Sequence, residues 1–137
     1  MKVAALDLGT NTFLLLIAEV LDGKIIKVFK DELRFVRLGQ DVHKNKAFHP
    51  EALSRVDSCF EEFHQMIAAE KVDHIVAAAT SAARDAANSD DFFALGNKWQ
   101  IPIQIVSGQK EAELTYLGAT FDKDSGESTA VIDVGGG

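Results

Sequence analysis

A single cysteine, Cys59, stands in 137 residues, which excludes an internal disulfide and fits a reducing compartment. No apolar run is long enough to span a membrane. The longest near the N-terminus, Phe13 to Val20, falls far short of the ~20 residues needed. The start has no signal-peptide layout, because Lys2 is a lone basic residue and Asp7 interrupts the apolar run. The expectation is a soluble cytoplasmic protein with no membrane contact. Basic charge is also scarce: 14 Lys and Arg against 21 Asp and Glu leave a net charge of −7. General nucleic-acid binding needs a basic stripe, so nucleic acid is not an expected partner. Neither G-x-G-x-x-G nor G-x-x-x-x-G-K-[ST] occurs, which removes the dinucleotide-fold and P-loop readings. The four histidines, His43, His49, His64 and His74, lack any H-x-x-x-H spacing and are assigned no metal.

What is present suffices for a packed domain: 47% hydrophobic residues, 26% charged, and no low-complexity tract. Lys2 to Leu8, Phe13 to Val20 and Lys24 to Val36 read as three successive antiparallel strands, the last two joined by an Asp22-Gly23 hairpin turn. Leu38 to His49 reads as a loop. Pro50 suits the first position of a helix of about five turns, with Leu53, Val56, Phe60, Phe63 and Ile67 as its stripe and Cys59 and Met66 on the same flank. Val72 to Ala79 is a buried strand, Ala82 to Ala87 and Asp90 to Trp99 are helical, and Ile103 to Val106 is a short strand. Ser107 caps a helix running to about Phe121 with Leu114, Leu117 and Phe121 as its apolar stripe. Asp122 to Ser128 is a polar linker into a last strand. The fold class is α/β, a mixed five-stranded sheet with helices on its faces.

Two segments share one device. Val3 to Thr10 and Ala130 to Gly137 both run apolar, apolar, Asp, apolar, Gly, small: a buried strand ending in a carboxylate and a glycine turn, about 126 positions apart. A glycine turn offers backbone N–H groups to phosphate oxygens without a Cβ in the way, and the adjacent Asp suits a hydrated divalent cation. Gly9, Thr10, Asn11 and Thr12 form the first donor-rich loop; Gly135, Gly136 and Gly137 form the second. Asp7 and Asp133 are the candidate metal carboxylates. The second copy stops inside its own loop, so the chain is expected to be the first part of something longer. Thr80-Ser81-Ala82-Ala83-Arg84 opens a helix, where the hydroxyls act either as an ordinary cap or as part of an anion site. Glu111 lies in the first turn of the helix after Ser107. An acid there favours the helix dipole, or it serves as a general base if that turn faces the two Asp-turns.

These segments in this order resemble the exopolyphosphatase / guanosine-pentaphosphate phosphohydrolase (Ppx/GppA) family, whose fold is ribonuclease-H-like and belongs to the actin, sugar-kinase and Hsp70 superfamily. The matching pieces are Asp7-Leu8-Gly9-Thr10-Asn11-Thr12, Ala79-Thr80-Ser81-Ala82-Ala83-Arg84, Val106-Ser107-Gly108-Gln109-Lys110-Glu111-Ala112 with Tyr116-Leu117-Gly118, and Ile132-Asp133-Val134-Gly135-Gly136-Gly137. Arg37-Leu38-Gly39 also resembles the family's third strand. The resemblance implies two ribonuclease-H-like domains, here residues 1–128 and the opening of a second at 129–137, with the cleft between them. It implies hydrolysis of terminal phosphoanhydride bonds of inorganic polyphosphate or guanosine pentaphosphate, and a homodimer is compatible with it for the longer protein. Asp7 and Asp133 would flank Mg²⁺, Glu111 would activate water, and Arg84 would support the phosphate held by the two loops. This piece alone is expected to be inactive. Three positions depart from the family: Leu14 where Arg or His is common, Lys110 where a second Glu is frequent, and Glu113 where Arg is frequent. An ATP-dependent kinase of the same superfamily and a non-catalytic guanosine tetra- or pentaphosphate sensor are the alternatives.

Overall fold

Alternation along the first strand sorts its side chains: Ala4, Leu6 and Leu8 are buried, while Val3, Ala5 and Asp7 point the other way and keep solvent contact. The computed structural model describes residues 1–121 and 129–136. Five strands, β1 (Lys2–Leu8), β2 (Thr12–Leu21), β3 (Lys24–Phe35), β4 (His74–Ala79) and β5 (Ile103–Ile105), form one sheet in the order β3-β2-β1-β4-β5. The β1–β2 and β2–β3 pairs are antiparallel, whereas β4 runs parallel to β1 and β5 parallel to β4. The hairpin turn at Asp22 and Gly23 has both φ angles positive, 49° and 75°, matching the right-handed twist of its strands.

The helices are α1 (Val42–Asn45), α2 (Pro50–Glu70), α3 (Ser81–Asp85), α4 (Ser89–Lys98) and α5 (Gly108–Ala119). Helix α2 starts with Pro50 at its first position and lays Val56, Phe60, Phe63 and Ile67 against the sheet. Phe13 of β2 stacks on Phe60 at 5.6 Å between centroids, and Phe92 of α4 closes the cluster at 5.9 Å from Phe60. Each such fully buried side chain stabilises the fold by about 1.5–3 kcal/mol. Cys59 lies in this core, where burial pushes its thiol up to about 12, so it packs as a small hydrophobe.

The structure corrects the expectations in three places. The segment from Leu38 to His49 is not a bare loop: it contains α1 and buries Leu38, Val42 and Phe48. Residues 130–136 form no strand, because an extended segment needs a ladder partner and none of the described strands pairs with it; Ile132 and Val134 are 88% and 90% exposed. The apolar stripe of α5 is unburied, with Leu114, Leu117 and Phe121 all open to solvent, since no described element packs against it. The linker 122–128 and Gly137 lie outside the described residues. Among the described residues no helix is long and apolar enough to cross a membrane.

Candidate active site

Strand register decides where the candidate residues meet. Leu8 pairs with Ala79 across β1 and β4, and Ala79 pairs with Ile105 across β4 and β5. The loops that leave these three strand ends therefore emerge at one level, at the carboxyl edge of the parallel strands, where open α/β sheets bind ligands. Gly9 to Thr12 leave β1, Thr80 opens α3 after β4, and Val106 and Ser107 lead into α5 after β5.

The first loop is tightly closed. Gly9 N–H donates to Thr12 O at 3.1 Å, and a Cβ on Gly9 would lie 3.0 Å from that oxygen, a tight contact that the loop would have to give way to. The loop is held from beneath by the segment after β3: Val36 N–H and Arg37 N–H donate to Asn11 O at 3.1 and 2.8 Å, and Gly39 N–H donates to Thr10 O at 2.8 Å. A Cβ on Gly39 would collide with the Thr10 methyl group. Thr10 Oγ1 and Ser81 Oγ share a hydrogen bond of 2.9 Å, which ties the loop to α3. Gly39 and Ser81 thus join the site beyond the residues that the sequence pattern points to. The Arg37-Leu38-Gly39 triplet was the signal for the first, and a hydroxyl at a helix start is too common a cap to single out the second.

At the third loop, Ser107 Oγ accepts from Lys110 N–H at 3.1 Å and caps α5, while Glu111 N–H donates to Ser107 O. Glu111 therefore sits in the first turn of α5, half-exposed. Arg84 Nη1 donates to Glu111 Oε2 at 3.2 Å and to Val106 O at 2.6 Å.

One cleft of about 470 Å³ collects these groups. Its walls include Asp7, Gly9, Thr10, Asn11 and Thr12 from the first loop, Arg84 and Glu111 from the helices, and Asp133, Gly135 and Gly136 from the C-terminal segment. Gly136 approaches the loop so closely that a Cβ on it would lie 3.3 Å from Asn11 Cβ. Leu14 also lines the cleft. A second, largely apolar cavity of about 550 Å³ lies between α5 and the sheet and shares Asp7, Thr80, Glu111 and Thr115 with the cleft.

Asp7 is open to the cleft, yet partial desolvation, then the carboxylate of Glu111, then that of Asp133, push its carboxyl above the usual carboxylate range. No described Lys or Arg forms an ion pair with Asp7 or Asp133. Among the described residues no three His, Cys, Asp or Glu side chains converge closely enough to cage a metal ion. A Mg²⁺ ion does not require such a cage: it keeps several waters and takes one or two carboxylates plus substrate phosphates. The donor set fits that mode.

A family model described as the Ppx/GppA phosphatase family matches residues 16–137. The chain belongs to that family. Over 98% of its length it is 38% identical to the bifunctional 3-dehydroquinate synthase/phosphatase of Fusobacterium nucleatum, of which it covers 22%. Over 99% of its length it is 37% identical to exopolyphosphatase 2 of Mycobacterium tuberculosis, of which it covers 46%. The crystal structure of an exopolyphosphatase from Cytophaga hutchinsonii superposes with a TM-score of 0.81 at 26% identity, over 88% of this chain and 39% of that one. The fold is thus the ribonuclease-H-like, actin-like α/β fold expected from the sequence. The chain spans less than half the length of these relatives.

Proposed function

We propose that this chain is the phosphate-binding first domain of a hydrolase that removes terminal phosphate from a phosphoanhydride chain, inorganic polyphosphate or guanosine pentaphosphate. The observation that carries the reading is the single cleft onto which both glycine-bearing loops, two unpaired aspartates and Glu111 open. Membership of a phosphatase family, with an exopolyphosphatase among the relatives, supports it.

In this reading Gly9 shapes the first loop through its own N–H bond to Thr12 O, and the remaining backbone N–H groups up to Thr12 and those of Gly135 to Gly137 hold the terminal phosphate, joined by the Thr10 and Thr12 hydroxyls and the Asn11 amide. Phosphoryl transfer asks the protein mainly for positioning and charge neutralisation, which such loops supply without a basic surface. Asp7 and Asp133 would hold a divalent cation, Mg²⁺ by the donor set, which when bound offsets phosphate charge. Glu111 accepts a proton from water as that water attacks the terminal phosphorus; the bond to the bridging oxygen breaks, and the shortened chain leaves with its electron pair. Arg84 stands at the cleft wall as a supporting group. A second domain beginning at about residue 129 would supply the facing half of the cleft, so the 137-residue chain alone should not turn over.

The test is phosphate release from polyphosphate by the protein extended to the length of its relatives, alongside its Glu111→Gln variant. Loss of general-base assistance should lower the rate by about 10²–10⁴-fold. Equal rates would remove Glu111 from the reaction.

A further inference from the structure

The family resemblance offers Arg84 as a phosphate contact, but its Nη1 is already engaged within the protein. Nη1 reaches the Val106 carbonyl at 2.6 Å and Glu111 Oε2 at 3.2 Å. Val106 follows β5, its own N–H donated to Ala79 O, and Ser107 comes next as the cap of α5. One guanidinium nitrogen thus grips a fixed point of the sheet edge and the carboxylate one turn into the helix.

That grip matters because little else holds this turn. Helix α5 buries none of its residues, and Lys110, the neighbouring cation, is engaged with Glu113. Among the described residues Arg84 is the cation paired with Glu111. At the other end of the same short helix, Ser81 shares its hydrogen bond with Thr10 of the phosphate loop. Helix α3 therefore spans the distance between loop and acid: Ser81 fixes one end and Arg84 the other. A half-exposed ion pair adds little to stability, so its contribution is aim.

We infer that Arg84 is a positioning residue that acts through Glu111, fixing the carboxylate relative to the Thr10 loop. The inference rests on the hydrolase reading, in which Glu111 activates water. Arginine suits the task because the N–H bonds of Nη1 point in fixed directions in the guanidinium plane, toward the carbonyl and the carboxylate, whereas a lysine ammonium supplies only a point charge.

The experiment is steady-state kinetics on the protein extended to the length of its relatives, with Glu111→Gln, Arg84→Met, Arg84→Lys and the double variant Arg84→Met/Glu111→Gln. Arg84→Met should lower kcat by roughly 10²-fold, the scale of a misaimed group, with KM unchanged. Arg84→Lys should recover part of that loss. The double variant should be no slower than Glu111→Gln alone, because nothing remains to be aimed. A raised KM at unchanged kcat, or losses that multiply in the double variant, overturns the inference and leaves the Glu111 reading standing. Undiminished turnover by Glu111→Gln overturns both. Should Arg84→Met fail to fold, the same cycle built with Arg84→Lys carries the same outcomes.

Discussion

The two faces of the sheet are built from the same strands and do opposite things. One face meets α2 and α4 and packs Phe13, Phe60 and Phe92 into an aromatic cluster with no solvent contact. The other carries Asp7, Leu14, Leu33, Phe35 and Val76, all exposed, Phe35 at 68%. Cross-strand register aligns these residues: Leu14 lies opposite Leu33, Thr12 opposite Phe35, and Asp7 opposite Leu14 on one side and Ala78 on the other. The difference separates stability from chemistry. The packed face fixes the strand ends, and the open face with its rim presents carboxylates and backbone donors that a filled core could not contain.

The comparison breaks most readily at the packed face. Phe60→Ala should cost about 3–5 kcal/mol of unfolding free energy, read from the urea midpoint of the chain, because the cavity lies between rings that cannot collapse. Leu117→Ala on α5, at a position 55% exposed, should change stability by no more than about 0.5 kcal/mol in the same assay. If the two substitutions cost the same, the faces are not energetically distinct. A cost that appears for Leu117→Ala only in the longer protein would instead show that the open face is covered there.

The smallest effect is the most diagnostic of the cleft. The Asp7 carboxyl titrates above its ordinary 3.8, so the folded state binds its proton more tightly than the unfolded chain does. Stability associated with Asp7 is therefore lost as pH rises from about 3.8 through the raised folded value. Asp7→Asn should raise the thermal midpoint slightly at pH 7, and the gain should vanish below the ordinary carboxylate range. Magnesium should stabilise the parent chain more than the variant. A lower midpoint for Asp7→Asn at pH 7 would mean that the carboxylate has a favourable partner in the fold.

Much of this was legible in the sequence because local signals and tertiary packing agree. Asp22-Gly23 closes its hairpin with two left-handed residues, Pro50 starts α2, and the stripe from Val56 to Ile67 packs as its spacing predicts. The sequence failed where a segment depends on a distant neighbour. Leu114, Leu117 and Phe121 carry a helix periodicity that says nothing about what will cover them, and they lie bare. Residues 130–136 have strand composition and no ladder to join. Within the site, the Asp-turns could be found from their glycines. The clasp of Gly39 on Thr10 and the bridge from Ser81 to Arg84 could not, since both join residues far apart in the chain through single hydrogen bonds.

In the proposed reaction, water activated beside Glu111 attacks the terminal phosphorus of a chain held by the two glycine loops. Running the reaction of the longer protein in ¹⁸O-labelled water tests it most directly. One labelled oxygen in each released orthophosphate, and none in the shortened chain, is the expected result. Label in the chain end, or phosphate passed to another acceptor without label, would contradict it.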